Sequence, residues 1–360
     1  MQGNTKQHIV QLDGLRFFAV LMVMLAHWVQ YQWTNQIGSG IPFDHGVTLF
    51  FVLSGFLITR ILLSYRDEYI RLNLNKLQLV KHFYVRRFFR IFPIYYLLII
   101  TLFIFNYDNT RELFPWLISY TSNIYQSIYN LDVNRFNHFW SLGVEEQFYL
   151  FWPLVLLFTK PSKNLKIIVF TIILAIVVRT YLYFAIGHWM ATRYFTLSCM
   201  HALGIGALLS YFLLYNKPLI DKLKRPVWIY VSGTVYVVFL VAQKALGLEW
   251  YEQIFDEFVF AICAAFIILR ASDNGFRGIT RKILENKFVV YSGKISYGLY
   301  VFHLFIPDLA DYLTGITGLA FTNNYQAFVF YYFVTFVIAH FSWILIERPI
   351  NSFKKKVPYI

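Results

Sequence analysis

Charged residues are scarce in this sequence of 360 residues. Asp, Glu, Lys and Arg make up 14% of it, whereas 58% of the residues are hydrophobic and 21% are aromatic. An ordinary soluble domain has about a quarter of its residues charged, and a soluble core of this size could not hide so much apolar surface. The composition therefore excludes a soluble enzyme and indicates an integral membrane protein.

Acidic residues are scarcer than basic residues. The chain has 19 Asp and Glu against 32 Lys and Arg, a formal net charge of +13. In a nucleic-acid-binding protein such an excess would form basic faces on a polar fold, but here the basic residues form short clusters between apolar runs. No nucleic-acid partner is expected.

The sequence has only two cysteines and lacks the common nucleotide-binding and zinc-binding motifs. Cys199 and Cys263 lie in separate apolar runs, which excludes a disulfide framework or a CxxC metal site. The sequence has no GxxxxGK[ST], GxGxxG or HExxH segment, so transport driven by nucleotide hydrolysis is unsupported. No metal is expected.

Apolar runs long enough to cross a bilayer recur along the chain. They predict an all-α integral membrane fold of about ten transmembrane helices, near residues 12–34, 44–64, 89–107, 141–159, 166–187, 196–215, 226–245, 254–271, 289–314 and 325–346. With the N-terminus inside, nearly all basic residues fall in cytosolic segments, and only Arg111, Arg135, Arg193 and Lys244 fall outside. Both termini are therefore predicted to be cytoplasmic, and residues 1–360 to form a single transmembrane domain.

Two connections between the spans are long. Residues 65–88 alternate charged and apolar side chains, which is typical of an amphipathic helix lying on the membrane surface. The other connection contains RELFPWLISYTSNIYQSIYN, which is too polar for a span and too aromatic for a free loop. We expect a re-entrant or interfacial segment near residues 112–130.

Ionisable residues inside a span are costly and usually functional. Arg16 and His27 lie in the first predicted span, about three helical turns and about 16 Å apart, so both face one side of the helix. Taken alone, Arg16 could be an anchor at the inner membrane surface. Taken alone, His27 could be a hydrogen-bonded histidine of the core. Their shared face favours a functional pair, with the imidazole near neutral pH as an acid or base.

A second group of polar residues lies in NHFWSLGVEEQFYLFWP. Ser141 is predicted to cap a helix whose first turns, on the outer side, carry Glu145 and Glu146. Adjacent residues are about 100° apart on a helix, so one carboxylate is expected to face a cavity and the other to be structural. His138 and Trp140 are expected at the outer entrance, although complementarity to the helix dipole would also explain the acidic pair.

A third group, VRRFFRIFPIYY, places Arg86, Arg87 and Arg90 at helical spacings of three and four, so their guanidinium groups should converge at the inner mouth. Guanidinium groups match phosphate oxygens. The cluster could therefore bind a phosphorylated cytosolic cofactor, although the residues alone favour anchoring to anionic lipid.

Two further signals are weaker. ISYGLYVFHLF spaces Tyr297, Tyr300 and His303 along one stripe, which suits an internal hydrogen-bond network as well as a chemical role. Ser54 beside Gly55 in FFVLSGFLI is typical of close helix packing rather than of a nucleophile.

Together these segments resemble the acyltransferase 3 family of integral-membrane acyltransferases, which acylate, usually acetylate, hydroxyl groups of bacterial surface glycans. The matches run in family order along nearly the whole chain: LDGLRFFAVLMVMLAH, GVTLFFVLSGFLITR, FYVRRFFRIFPIYY, FWSLGVEEQFYLFWP, ISYGLYVFHLF and IERP. SGF or ERP alone would be weak, but the ordered set is specific.

The resemblance implies a multi-pass enzyme of the bacterial inner membrane that moves an acyl group from cytosolic acyl-CoA, most often acetyl-CoA, to a glycan. The acceptor would be a sugar hydroxyl on a lipid-linked or cell-surface saccharide. Many members have a carboxylate where this chain has Thr48, and the nearby Asp44 could substitute for it. Some relatives carry a C-terminal esterase-like domain, and this sequence is expected to have none.

Site roles follow from the motifs and the resemblance together. Catalysis is assigned to His27 as general base, to Arg16 as a group that stabilises developing charge, and to Glu145. The predicted acyl-CoA site consists of Arg86, Arg87, Arg90, Tyr297 and His303. The predicted acceptor site consists of Trp140, Ser141, Glu146, His138 and Asp44.

A transporter or flippase is the alternative function, because buried Arg, His and Glu can also form a substrate or proton pathway. The arginine cluster and the lack of visible inverted repeats favour the enzyme. Membrane lipids are expected around the protein, and homo-oligomerisation is left open.

Overall fold

The structure is a computed structural model that describes residues 8–30, 43–247, 249–318 and 321–357. Helices account for 88% of it and no strand occurs in the described ranges, which confirms the all-α prediction. The helices are α1 (Val10–Leu25), α2 (Gly46–Arg71), α3 (Lys76–Phe105), α4 (Thr110–Ile118), α5 (Ser122–Tyr129), α6 (Phe139–Phe158), α7 (Asn164–Ile186), α8 (Trp189–Tyr194), α9 (Thr196–Tyr215), α10 (Lys217–Leu223), α11 (Val227–Leu246), α12 (Glu249–Ala271), α13 (Gly278–Leu284), α14 (Lys287–Lys294), α15 (Ser296–Phe302), α16 (Ile306–Thr317), α17 (Asn324–Ser342) and α18 (Arg348–Ser352). A π-helical turn follows α1 (Ala26–Gln30), and another follows α17 (Trp343–Glu347).

Seven helical stretches in the described part of the chain are long and apolar enough to cross a membrane, which makes this a multi-pass membrane protein. They are Val10–Val29, Phe43–Arg71, Lys76–Phe105, Pro161–Ile186, Trp189–Tyr215, Val227–Leu246 and Asn324–Ser352. The other three predicted spans fall on α6, α12 and the broken run from α14 to α16. Residues 31–34 of the first predicted span lie outside the described residues. A total near ten and the cytoplasmic termini stay predictions.

α1 and α2 occupy the centre of the bundle. Of the apolar window in each stretch, 67% is buried for the first and 72% for the second, against 11% for α11. The peripheral helices instead expose large apolar side chains, such as Phe170 on α7 and Val241 on α11. A surface of this kind is stable in contact with lipid and not with water.

Glycines allow the central helices to approach closely. A Cβ atom at Gly55 on α2 would lie 1.9 Å from the carbonyl oxygen of Leu203 on α9, and one at Gly206 on α9 would lie 2.1 Å from that of Val52. Small residues at helix crossings are how membrane helices pack without a hydrophobic driving force. The packing interpretation is therefore confirmed for Gly55.

The inner connection after α2 differs from the prediction. α2 continues to Arg71 and α3 begins at Lys76, so only residues 72–75 connect them. Asn75 caps α3, because its side-chain oxygen accepts a hydrogen bond of 2.9 Å from the backbone N–H of Leu77. The predicted surface helix over residues 65–88 is wrong, since its charged residues belong to the ends of two long helices.

Residues 110–129 form a hairpin of two helices too short to span a membrane. Tyr120, between α4 and α5, stacks on Tyr95 of α3 with ring centroids 4.2 Å apart. Tyr95 lies ten residues, about 15 Å, from the end of α3 at Phe105. The chain then returns to the level at which it started, where Asn134 Nδ2 donates to Asp108 over 3.3 Å. The hairpin thus turns back beside α3, and whether it is re-entrant or interfacial in a membrane stays a prediction.

Gly55→Ala should lower the free energy of unfolding by about 1–3 kcal/mol, because the new methyl group overlaps the Leu203 carbonyl and forces the crossing apart. Gly233→Ala on α11 is the matched control, since a Cβ there meets nothing within 4 Å. Thermal unfolding of the purified protein in detergent should show a lower midpoint for Gly55→Ala alone. Equal midpoints for the two variants would contradict the close crossing.

Candidate functional site

A cavity of about 220 Å³, here called the central cavity, lies between α1, α2, α3, α6 and α15. Its polar lining combines arginines, glutamates and hydroxyl groups: Arg16, Arg87, Arg90, Glu145, Glu146, Ser54, Ser141, Ser296, Tyr149, Tyr297 and Tyr300. Apolar residues such as Leu53 and Ile58 complete it. Segments far apart in the chain thus converge on one charged chamber inside the bundle.

The central cavity joins two motifs that the sequence placed at opposite membrane surfaces. Arg87 and Arg90 were predicted at the inner mouth, and Glu145 and Glu146 near the outer entrance, yet all four border the same space. The helix positions explain this: Arg90 lies about 21 Å into α3, and Glu145 about 9 Å into α6 from the other side. Opposite ends of antiparallel helices therefore meet near the middle of the bundle.

A hydrogen-bonded chain of side chains runs along the wall formed by α2 and α6. Ser54 Oγ donates to Glu145 Oε1 over 2.6 Å, and the Tyr149 hydroxyl donates to Ser54 Oγ over 2.9 Å. The Arg87 guanidinium lies over the Tyr149 ring, 5.2 Å from its centroid. Ser54 was interpreted as a packing residue and Tyr149 was not singled out. The spacing of four between Glu145 and Tyr149, which puts both on one helix face, is the signal that could have found it.

The arginines divide between two environments. Arg16 Nη1 donates to Asp13 Oδ1 over 2.6 Å, and the side chain borders the central cavity. Arg90 is accessible through the same cavity. Tyr297 also borders it and donates to the backbone oxygen of Ile91 over 2.8 Å. Arg16, Arg90 and Tyr297 thus line the side of the chamber formed by α1, α3 and α15, which is called the arginine end below.

Arg86 does not join them. Its Nη1 donates to the backbone oxygens of Lys354 over 2.7 Å and Val357 over 2.9 Å, so it holds the C-terminal segment against α3. Arg87 and Arg90 line the central cavity and Arg86 does not, although all three arginines lie near the Lys354 side chain. Convergence of the three groups on one ligand stays a prediction. Helical spacing describes neighbours on one helix and contains no information about a segment more than 260 residues away.

A cluster of histidines adjoins the central cavity. His27 lies in the π-helical turn after α1, and its Nδ1 is 3.1 Å from Nε2 of His303. The His138 ring is 4.9 Å from the His303 ring between centroids. His303 Nδ1 lies 2.6 Å from the backbone oxygen of Tyr300. His303, predicted to bind acyl-CoA, is thus a neighbour of His27 instead of a residue of the cavity wall.

These contacts fix the tautomers. The Tyr300 carbonyl can only accept, so His303 Nδ1 must carry the proton, and Nε2 of a neutral His303 is then an acceptor. His27 Nδ1 therefore donates, toward His303 and toward the Val23 carbonyl at 3.0 Å. This arrangement leaves the lone pair of a neutral His27 on Nε2.

Tyr300 and Ser141 separate the histidines from the central cavity. The Tyr300 hydroxyl is 2.6 Å from Ser141 Oγ and donates to the backbone oxygen of His138 over 2.7 Å. Both hydroxyl groups border the cavity, whereas His27, His303 and His138 do not. The predicted common face of Arg16 and His27 assumed a regular α-helix, but the α-helix ends at Leu25 and a π turn follows. Arg16 borders the cavity and His27 does not, and their common face stays a prediction.

Two predicted acceptor residues have other neighbours. Trp140 is buried and stacks on Tyr194, with centroids 4.5 Å apart. Asp44 pairs with Arg193 Nη2 at 2.7 Å and with His45 Nδ1 at 3.0 Å. Neither borders the central cavity, although the turn that carries Asp44 (Phe43–His45) contacts the π turn that carries His27.

Ser141 lies within the first turn of α6, because the helix already begins at Phe139. The predicted N-cap role is therefore wrong, and the Ser141 hydroxyl instead bonds Tyr300.

Within the described ranges, no group of His, Cys, Asp and Glu has an arrangement that could hold a metal ion.

Arg86→Ala should free the C-terminal segment, because both carbonyl contacts are lost. Trypsin is expected to cleave at Lys354 several times faster in this variant than in the wild type. Arg71→Ala, at the exposed end of α2, is the control and should cleave at the wild-type rate. A rate for Arg86→Ala equal to that of the control would contradict the anchoring role.

The fold and the cavity define a multi-pass helical membrane protein with a buried charged site flanked by histidines. Residues 9–346 match the sequence profile of the acyltransferase domain family. The chain belongs to this acyltransferase family, as the ordered motifs had indicated, and membership favours an enzyme over a transporter.

The curated relatives are named as O-acetyltransferases. The chain is 29% identical to peptidoglycan O-acetyltransferase OatA of Listeria monocytogenes over 97% of its own length and 56% of the relative. It is 28% identical to the putative peptidoglycan O-acetyltransferase YrhL of Bacillus subtilis, over 98% of the chain and 56% of the relative. It is 28% identical to O-acetyltransferase OatA of Staphylococcus aureus, over 96% of the chain and 58% of the relative. The chain thus spans less than two thirds of each relative. No solved structure matches it significantly.

Proposed function

We propose that this protein is a membrane-bound O-acyltransferase, in the first instance an O-acetyltransferase, that moves an acyl group from acyl-CoA to a sugar hydroxyl of a cell-envelope glycan. The observation that carries the proposal is the central cavity, which places arginines, a bonded serine–glutamate pair and a histidine cluster within one part of the bundle. The relatives named for peptidoglycan O-acetylation support the glycan as acceptor.

The donor is assigned to the arginine end of the cavity. Arg16 and Arg90, which both line the cavity, suit the phosphate groups of acetyl-CoA, because guanidinium groups bond phosphate oxygens with charge assistance. The narrow pantetheine arm would extend toward Tyr300. Tyr297 lines this path, whereas Arg86 is assigned to the C-terminal segment.

His27 is assigned as the general base for the acceptor hydroxyl. The lone pair on Nε2 receives the hydroxyl proton as the sugar oxygen bonds to the thioester carbonyl carbon. The carbon–sulfur bond then breaks, and the proton passes on to the departing CoA thiolate. His303 holds the His27 tautomer, and a cavity arginine such as Arg16 stabilises the charge on the carbonyl oxygen.

The acceptor is assigned to the carboxylate side of the cavity. Glu145 and Glu146 supply oxygens that can accept hydrogen bonds from sugar hydroxyls, and both reach the cavity. Cytosolic acetyl-CoA and an envelope glycan imply a protein of the bacterial cytoplasmic membrane. The N-inside orientation would put the donor arginines nearer the cytosol.

His27→Gln should lower the rate of glycan O-acetylation by about 10²–10⁴-fold, because the base is lost while the side chain keeps its hydrogen-bonding capacity. The assay supplies acetyl-CoA and a peptidoglycan fragment to protein in nanodiscs and measures acetate released from the product by mild alkali. His340→Gln on α17, whose ring bonds Tyr291, is the control and should retain activity.

Wild-type rates in a folded His27→Gln protein would contradict the assignment of the base. A wild-type protein that acetylates no glycan fragment would contradict the proposed function itself.

A further inference from the structure

A second cavity, of about 720 Å³, adjoins the central cavity between α3, α6 and the tip of the hairpin formed by α4 and α5. We call it the lateral groove. Half of its lining residues are aromatic: Tyr84, Phe88, Phe89, Phe92, Tyr96, Tyr120 and Tyr149. Such a lining suits a hydrocarbon chain, because aromatic rings present large apolar surfaces.

The lateral groove opens toward the lipid. Phe88 is 50% exposed and Leu150 is 51% exposed at its margins. α3 is one of the membrane-crossing stretches, so apolar side chains exposed on it face hydrocarbon. A molecule in the membrane can therefore enter the groove sideways without passing through water.

The lateral groove and the central cavity share a wall. Arg87, Glu146 and Tyr149 line both spaces. A ligand lying in the groove thus has its inner end at the chamber where the acyl group is transferred. This continuity distinguishes the groove from an ordinary crevice between lipid-facing helices.

The shared wall carries the charge that a lipid phosphate requires. The Arg87 guanidinium rests on the rings of Phe83 and Tyr149, at 5.6 Å and 5.2 Å from their centroids. Glu145 and Glu146 lie close enough to interact with its charge, and Glu146 lines the same wall. An arginine at the inner end of an apolar groove complements a phosphate at the end of a hydrocarbon chain.

We propose that the lateral groove binds the chain of a polyprenyl-phosphate-linked saccharide, whose phosphate lies at Arg87 and whose sugar enters the central cavity as the acyl acceptor. The identity of the sugar as acceptor rests on the proposed function; binding of the chain does not. A phospholipid would meet the apolar and phosphate requirements but would bring no saccharide to Glu145 and Glu146.

The first experiment compares acceptors in nanodiscs that contain the purified protein. Acetyl-CoA is supplied with a disaccharide linked to polyprenyl diphosphate or with the same disaccharide without the lipid, and kcat/KM is measured for each. The wild type should prefer the lipid-linked acceptor. Leu150→Trp, which fills the mouth of the groove, should reduce that preference about tenfold or more.

Leu154→Trp is the matched control. It lies one turn further along α6, is 40% exposed and does not line the groove, so the preference should stay at the wild-type value. Equal use of the two acceptors by the wild type would overturn the proposal. So would an equal preference in Leu150→Trp and Leu154→Trp.

The second experiment measures binding of the lipid chain to the lateral groove independently of catalysis. A polyprenyl diphosphate disaccharide with a diazirine in its chain is photolysed with the protein, and labelled peptides are mapped. Label on α3 and α6 that is competed by the unlabelled saccharide lipid, and that is lost in Leu150→Trp but kept in Leu154→Trp, is the expected result. Label elsewhere, or equal competition by phosphatidylglycerol, would overturn the proposal.

The two experiments distinguish failure of the proposed function from failure of lipid binding in the groove. If the wild type acetylates neither acceptor, the proposed function fails, and the photolabelling alone decides whether the groove binds the lipid.

Discussion

The cost of burying charge between membrane helices is the constraint on which this structure depends. A charged side chain inside a bilayer is expensive unless it is paired or faces a polar cavity. Here Arg16, Arg87, Arg90, Glu145 and Glu146 border one chamber, so each charge lies near an opposite charge or a hydroxyl group. Such an arrangement offsets the burial cost while leaving space that a charged ligand can occupy.

Close contacts between helix backbones, made possible by glycines, fix the helices around this chamber. Gly55 and Gly206 bring α2 and α9 together, and Gly293 brings α14 within reach of the backbone of α1 at Asp13. Because α1 and α2 are thereby fixed at the centre, Arg16 borders the cavity and Ser54 reaches Glu145 of α6. The π turn at Ala26–Gln30 then places His27 beside His303. π turns of this kind often occur at functional sites.

Much of this organisation is encoded in local patterns. Apolar length predicted the helices, mixed polarity predicted a re-entrant or interfacial segment, and ordered motifs predicted the family. Contacts between distant segments had no local signal. The bond from Ser54 to Glu145 and the capture of Arg86 by the C-terminal carbonyls join residues whose sequence spacing is uninformative. The meeting of Arg90 with Glu145 depends on how antiparallel helices align, which polarity alone does not specify. The stacking of Trp140 on Tyr194 likewise follows from packing.

The central claim is that donor phosphates bind at the arginine end of the central cavity, with the acyl group directed toward Tyr300. A cryo-electron microscopy structure in nanodiscs with a non-hydrolysable acetyl-CoA analogue tests it most directly. The account predicts phosphate density at Arg90 and Arg16 and the acyl carbonyl between Ser141 and the histidine cluster. Analogue density outside the central cavity, with these arginines unoccupied, would contradict it.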